Sequence, residues 1–371
     1  MKITIVNCFD TYEHRVELLK RTLEAAGHSV RVVASSFRHM RKTVRSECPP
    51  GYELVYARPY YRNLSWARLR SHRAFARAAL ARAAETAPEL LWVLVPPNSL
   101  VKEAAAFKRA RGDTLLVLDF IDLWPESMPI ARFKSTPPFQ AWRALRDRYA
   151  DGADLVAAEC GMYREVLERC CGREKVRTLY LARDIPACRS AAKPPADRIA
   201  LCYLGSINNI IDIPRIGRLI EELDMPVELH VIGGGEKRET LCRTAERAGA
   251  AVVFHGEVYD PKKKQAVFDR CHAGLNIMKD SVYVGLTMKS MDYFAASLPV
   301  VNTIRGDTWE LIERYGVGVN CAAGVRITGQ ALLALQDRRA RVRAFYDACF
   351  SEPVFAANVR AILKELEERK G

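Results

Sequence analysis

The 371 residues hold enough chain for two domains with full cores. Apolar residues make up 49% and charged residues 27%, as in an ordinary globular protein, and no apolar run approaches the ~20 residues a membrane-spanning helix needs. Eleven cysteines, an odd number without a C-x-x-C pair, argue against a disulfide frame or a zinc site and for reduced thiols in a cytoplasmic protein. The net charge of +13 is unevenly placed: residues 1–198 carry 34 of the 57 Lys and Arg but 22 of the 44 Asp and Glu, so the remainder is close to neutral. The basic half either faces an anionic partner or merely reflects an Arg-rich composition. Nucleic acid would want interleaved aromatics or a reading motif, and neither is present. A leaflet of anionic lipid, or a diphosphate-linked lipid, fits at least as well.

Lys2–Asn7 predicts a strand without signal-peptide architecture, Glu13–Ala26 an amphipathic helix with Val16, Leu19 and Leu23 inward, and Ser29–Val33 a second strand. This β-α-β opening starts a doubly wound sheet. The loop Asn7–His14 lies where such sheets bind ligands, but it lacks the glycines of a dinucleotide fingerprint, so no nicotinamide site is expected; His14 is a second candidate for the cleft. Phe37–Arg45 reads as basic and irregular, and Tyr52–Pro59 as a strand. From Arg62 to about Glu85 the pattern is helical, with Trp66, Leu69, Phe75 and Leu80 among arginines. That helix suits a membrane surface or, more blandly, an ordinary packing helix with solvated arginines. Leu90–Val95 and Thr114–Phe120 read as buried strands flanking a helix that starts at Pro96–Ser99. The second strand runs into Asp119-Phe-Ile-Asp122-Leu-Trp-Pro-Glu126-Ser127, a loop rich in carboxylates. There Asp122 either serves chemistry or caps the turn while Trp124 fills the core. Phe139–Asp151 and Met162–Cys170 are expected as helices, Leu155–Ala158 and Val176–Leu181 as strands, and Arg183–Arg198, with three prolines, as a linker.

The pattern then restarts. Ile199–Leu204 is a strand followed by the glycine loop Gly205-Ser206-Ile-Asn208-Asn209, and Val227–Ile232 is followed by Gly233-Gly234-Gly-Glu236. Val252–Gly256 ends in His255-Gly256, and Gly274–Ile277 leads to Val284-Gly285-Leu286-Thr287-Met-Lys289-Ser-Met-Asp292-Tyr-Phe-Ala-Ala-Ser-Leu-Pro-Val-Val301. This last stretch predicts a loop, a short helix capped by Thr287, and a strand after Pro299. Met288, Met291, Phe294 and Ala295 would form its apolar face. Lys289 and Asp292, three apart, would be neighbours: a cation at a helix N-terminus suits a diphosphate, and a carboxylate one turn on suits a pair of sugar hydroxyls. The bland alternative is a solvated salt bridge. Asp307 is expected to cap a further helix, and helices over 329–349 and 354–370 close the chain.

The 284–301 stretch resembles the donor-binding segment of GT-B glycosyltransferases, in particular the retaining family 4, whose pattern is Glu, seven residues, Glu, then an Ala-rich helix and Gly-x-Pro-Val-Val. Aligned on Pro299-Val300-Val301, the second acidic position falls on Asp292, which the resemblance implies holds the donor ribose. The first falls on Val284, a departure that leaves the sugar open; Lys289 would replace part of the missing polar equipment. Asp119–Ser127 is similar to a second family segment and implies that Asp122 stands at an interdomain cleft near the acceptor, to orient or deprotonate its hydroxyl. By the same resemblance the loops at Gly205, Ser206, Asn208, Asn209 and at Gly233, Gly234 approach the donor phosphates, with amides where the family commonly has a basic pair. His255 lies near the base, and Gly285, Leu286 and Thr287 border the donor.

The resemblance implies an α/β protein of two Rossmann-like doubly wound domains facing across a cleft. The expected boundaries are 1–185 for an acceptor-side domain, 186–198 for a linker, 199–350 for a nucleotide-sugar domain and 351–371 for a helix crossing back to the first domain. It also implies a retaining, metal-independent transfer from a UDP- or GDP-type sugar to a glycan or lipid-diphosphate-linked acceptor in bacterial cell-surface polysaccharide synthesis. No cofactor is expected, no nucleic acid, and a cytoplasmic location with peripheral contact at the inner face of the plasma membrane. The absence of an Asp-x-Asp triplet in the sequence fits a metal-free reading. A catalytically silent partner subunit and a sugar-nucleotide epimerase of the same fold are the alternatives.

Overall fold

The computed structural model describes residues 1–128, 135–183, 185, 192–322 and 324–369. Positions 186–191 of the expected linker and the last two residues of the expected terminal helix lie outside them. The chain forms two compact units, Met1–Ala182 with Glu352–Gly371, and Arg183–Ser351.

The first unit alternates strands and helices: β1 (Lys2–Asn7), α1 (Glu13–Ala25), β2 (Ser29–Ser35), a hairpin of β3 (Phe37–Arg38) and β4 (Thr43–Val44), β5 (Tyr52–Val55), α2 (Trp66–Ala84), β6 (Leu90–Val95), α3 (Asn98–Ala110), β7 (Leu115–Phe120), α4 (Pro137–Ala150), β8 (Leu155–Ala158), α5 (Gly161–Cys171) and β9 (Val176–Thr178). Seven strands pair in the order β5-β2-β1-β6-β7-β8-β9, every pairing parallel. The expected irregular stretch 37–45 therefore holds a small antiparallel hairpin, with Phe37 buried opposite Val44.

Uninterrupted apolar runs such as Leu90–Val95 are buried throughout, as strands covered on both faces must be. Leu19 and Leu23 of α1 join Ile5, Trp92, Leu94 and Val117 in one core cluster, together with Phe355, Val359 and Leu363 of the terminal helix. α2, α3 and α4 pack side by side in chain order. α2 starts four residues later than its pattern suggested, because the Ser65 side chain accepts the N–H of Arg68 and so caps it. Its apolar residues do not form one stripe: Phe75 and Leu80 are buried, while Trp66 is exposed.

The second unit runs β10 (Ile199–Leu204), α6 (Ile213–Glu221), β11 (Val227–Ile232), α7 (Arg238–Arg247), β12 (Ala250–Gly256), α8 (Pro261–Asp269), β13 (Ala273–Asn276), α9 (Met288–Ala295), β14 (Val300–Asn302), α10 (Asp307–Tyr315), β15 (Gly318–Asn320), α11 (Gly329–Leu333) and α12 (Arg339–Phe350). Its six parallel strands are ordered β12-β11-β10-β13-β14-β15. Strand order reverses between β10 and β13, and loops leaving the carboxyl ends there form the natural ligand crevice of such a sheet.

Two expectations fail locally. The single helix over 329–349 is broken by a 3-10 stretch, Ala334–Arg338, between α11 and α12. Asp307 does not cap α10: Gly306, with φ of 93°, is the capping residue, and Asp307 already lies in the first turn, where its charge still complements the helix dipole. The last helix, α13 (Glu352–Glu368), belongs to the first unit. Among the described residues no helix is long and apolar enough to cross a membrane.

Candidate functional site

The site in the second unit is built on two glycine loops stacked backbone to backbone. Gly205 N–H donates to the Ile232 carbonyl, Ile207 N–H to Gly234, and Gly233 N–H to Gly256, so the ends of β10, β11 and β12 are tied in sequence. Gly233 has a φ of 130°, and a Cβ there would lie 2.1 Å from the Gly205 oxygen; at Gly235, which sequence reasoning did not single out, it would lie 2.4 Å from the Ile207 oxygen. Only glycine fits either position. Asn208 and Asn209 are spent on shaping this region: the Asn208 carboxamide accepts the Ile210 N–H, and Asn209 donates to Glu236 at 2.6 Å. The Ser206 carbonyl accepts the Tyr203 hydroxyl at 2.8 Å.

Across the strand reversal stands α9. Thr287 caps it as expected, accepting the Ser290 N–H and giving its own proton to Asn276. Gly285 is buried, its carbonyl held by the N–H and hydroxyl of Thr308. Three strands end in asparagine, Asn276, Asn302 and Asn320, and these form a ladder: Asn276 donates to Asn302 at 2.9 Å and Asn302 to Asn320 at 2.9 Å. The residues are in register across β13, β14 and β15. This ladder was missed from sequence, although a strand-final Asn repeated three times was the available signal. Buried amides of this kind must be satisfied, and the ladder does so while anchoring the loop that precedes α9.

Lys289 and Asp292 share α9 but take different partners. The Lys289 ammonium donates to the Tyr203 hydroxyl at 3.3 Å, rides 4.4 Å from that ring's centre and lies against Gly205. It has no carboxylate partner among the described residues, and burial lowers its pKa to about 8. Asp292 instead accepts from Arg183 at 3.0 Å, with Lys264 at 3.9 Å. The bland alternative, a salt bridge between Lys289 and Asp292, is therefore not formed. Of the expected apolar face, Met291, Phe294 and Ala295 are buried but Met288 is exposed; fully buried Tyr293 takes the role it leaves. The Tyr293 hydroxyl accepts the Leu204 N–H at 2.7 Å and donates to the Cys202 carbonyl at 3.1 Å.

His255 meets His230 rather than open space. Its Nε2 lies 3.0 Å from His230 Nδ1, the rings stack at 5.3 Å, and His230 Nε2 lies 2.8 Å from Glu228. If His230 donates to the carboxylate, its Nδ1 must accept from His255, which leaves His255 Nδ1 as a free acceptor. Burial lowers the pKa of both rings.

In the first unit Asp122 is largely enclosed. One oxygen accepts the Trp124 indole N–H at 2.8 Å, the other the Tyr163 hydroxyl at 3.4 Å, and burial raises its pKa against the effect of those donors. Trp124 does fill the core. Asp119 is a core residue with no access to solvent: Arg15 grips it through two nitrogens at 3.0 and 2.7 Å, and Trp92 donates at 3.1 Å. The exposed His14 ring donates to the Ala182 carbonyl at 2.9 Å.

Residues 201–337 match the family model described as "Glycosyl transferases group 1". No curated protein matches the chain in sequence. Solved structures share its fold over nearly its whole length. A sucrose-phosphate synthase from Thermosynechococcus elongatus is 13% identical, with a TM-score of 0.69 over 100% of both chains. HepE from Anabaena, in complex with UDP, is 14% identical, with a TM-score of 0.67 over 98% of this chain and 100% of that one. A lipopolysaccharide outer core galactosyltransferase is 13% identical, with a TM-score of 0.68 over 98% of this chain and 100% of that one. The fold is GT-B, with a Rossmann-like sheet in each unit.

Proposed function

We propose that this chain is a glycosyltransferase that takes a sugar from a nucleotide-diphosphate donor and passes it to a glycan or lipid-linked acceptor in bacterial cell-surface polysaccharide synthesis. The observation that carries the reading is Lys289, a part-buried ammonium without a carboxylate partner among the described residues, set against the Gly205 loop at the start of α9. An uncompensated cation beside a helix N-terminus at a strand reversal matches the charge of a diphosphate. The group 1 match over the second unit supports the same reading. The UDP bound by HepE favours a uridine donor over a guanosine one.

In this mechanism Lys289, with backbone N–H groups around Gly205 and Gly285, offsets the charge that grows on the departing diphosphate as the anomeric carbon–oxygen bond breaks. Asp292 takes the ribose hydroxyls, exchanging a hydrogen bond with Arg183 for them. Asp122 orients the acceptor hydroxyl. The donor phosphate accepts the acceptor's proton, the anomeric configuration is retained, and no metal takes part. The enzyme works in the cytoplasm, at the inner face of the plasma membrane.

The test is calorimetric titration with UDP, GDP, ADP and TDP of the wild type and Asp292→Ala. One nucleotide should bind the wild type, and the variant should bind it tenfold to a hundredfold more weakly, the loss expected of charge-assisted hydrogen bonds worth about 1–3 kcal/mol. Equal affinities would remove the ribose assignment. Silence toward all four nucleotides would favour the silent-partner reading, to which Val284 at the first acidic position already leans.

A further inference from the structure

Within the first unit, the opening turns of α2 and α3 and the first half of α4 enclose a groove of about 730 Å³. Its walls are Leu64, Trp66, Leu69, Phe139, Trp142 and Leu145. Three of these face solvent to an unusual degree for large apolar side chains: Trp66 is 76% exposed, Leu64 59% and Leu69 38%. A contiguous apolar surface of this kind marks a binding site. The sequence offered α2 as a membrane-surface helix or an ordinary packing helix; the structure packs its buried residues against the sheet and α3, as the second reading has it, and leaves Trp66 at its start lining a concavity.

The groove's polar atoms point to the rest of the ligand. Arg68 and His72 line it, 6% and 3% exposed. The Arg68 guanidinium lies 4.5 Å from the Trp124 ring and gives Nη1 to the Asn63 carbonyl at 2.8 Å, but no carboxylate pairs with it among the described residues. Its Nε, and Nδ1 of His72, are buried without a hydrogen-bond partner. Arg73 and Lys102 add positive charge to the lining, whereas its one acid, Glu103, is turned to Arg77. A buried, unpaired cation is costly until an anion reaches it. One ligand chemistry answers both the apolar walls and the unpaired guanidinium: an aliphatic chain ending in a phosphate.

We propose that this groove takes a single-chain lipid phosphate, the carrier end of the acceptor, with the chain along Trp66, Leu69 and Trp142 and the phosphate at Arg68. Its meaning as an acceptor subsite rests on the transferase reading; its occupancy does not.

Trp66 and Trp142 supply an optical signal. Titrating the full chain with monomeric dodecyl phosphate should change tryptophan fluorescence saturably, at a concentration at least tenfold lower than for dodecyl maltoside, while inorganic phosphate alone gives no saturable change. Leu69→Glu, at an exposed position that does not threaten folding, should weaken dodecyl phosphate binding at least tenfold. Arg68→Gln, if its circular dichroism stays native, should erase the preference for phosphate over maltoside. Equal affinity for the two amphiphiles, or an unaffected Leu69→Glu variant, would overturn the proposal. So would binding to phosphatidylglycerol vesicles without saturable binding of monomeric dodecyl phosphate, which would assign the patch to a bilayer surface. Because no nucleotide is present, a chain that binds dodecyl phosphate but no nucleoside diphosphate would uphold the groove and remove the transferase reading.

Discussion

The phenol of Tyr293 accepts the backbone N–H of Leu204 at 2.7 Å, and this one contact ties α9 to the last residue of β10. Its ring also fills the space beside Gly274, where a Cβ would come within 2.6 Å of it. Lys289 and the Gly205 loop therefore owe their relative placement to a residue that need not touch a ligand.

Removing that hydroxyl gives the first prediction. Tyr293→Phe leaves the Leu204 N–H buried and unpaired, at a cost of about 1–3 kcal/mol. The urea midpoint should fall with an unchanged slope, and UDP affinity should weaken along with it. A stability within about 0.5 kcal/mol of wild type would mean that the hydroxyl is not the tie.

The second concerns pH. Lys289 has its pKa lowered to about 8 by burial, and a bound diphosphate would favour the charged form. UDP affinity should therefore be highest below pH 8 and decline as pH rises through it, by up to about tenfold per unit. Lys289→Arg should flatten the profile, because a guanidinium stays charged. The same lysine lowers folding stability: between its ordinary value and about 8, the unfolded chain binds a proton that the folded one does not. Its contribution to stability thus rises with pH across that window. A wild-type calorimetric profile flat from pH 7 to 9 would separate Lys289 from the diphosphate.

The two loop glycines supply an internal control. Gly233→Ala would drive its Cβ to 2.1 Å from the Gly205 oxygen, so the loops must separate and nucleotide affinity should be lost. At Gly249, φ is 95° but no atom lies within 4 Å of a Cβ. Gly249→Ala should therefore cost only the backbone strain, roughly 1–2 kcal/mol, and leave binding intact. Equal losses in both variants, read by thermal melting and titration side by side, would contradict the stacked-loop account.

In the first unit, Arg15→Met should destabilise by about 3–5 kcal/mol, since it strands the Asp119 carboxylate at zero exposure. The companion Arg15→Met with Asp119→Leu should recover much of that loss. A double variant no better than the single would show that the pair is not the source of the cost.

The alternation of apolar runs with helical periods made the doubly wound plan legible, and Lys2–Asn7, Leu90–Val95 and Val227–Ile232 have the bounds read from sequence. Leu90–Val95 is an unbroken apolar run stopped by Pro96, and Lys2–Asn7 and Val227–Ile232 are mainly apolar segments closed by Asn7 and Gly233, so their ends are written locally. The failures have nonlocal causes. Gly306 caps α10 through a φ that no composition rule assigns to it, and 329–349 breaks where a helical pattern persists. At the candidate site the residue types of Lys289, Gly205 and Thr287 were readable from spacing. The contacts Lys289–Tyr203, Leu204–Tyr293 and Asp292–Arg183 were not, because they join groups 86, 89 and 109 positions apart.

The discontinuity of the first unit has a consequence for how the protein is made. α13 covers the cluster around Ile5, Trp92 and Val117, yet it is translated only after all of Arg183–Ser351. At a synthesis rate of about 5–20 residues per second, that apolar face waits on the order of 10–30 s for its cover. Through that interval a nascent chain displays a hydrophobic surface fit for chaperone capture, and a truncation that removes only α13 leaves the same surface open for good.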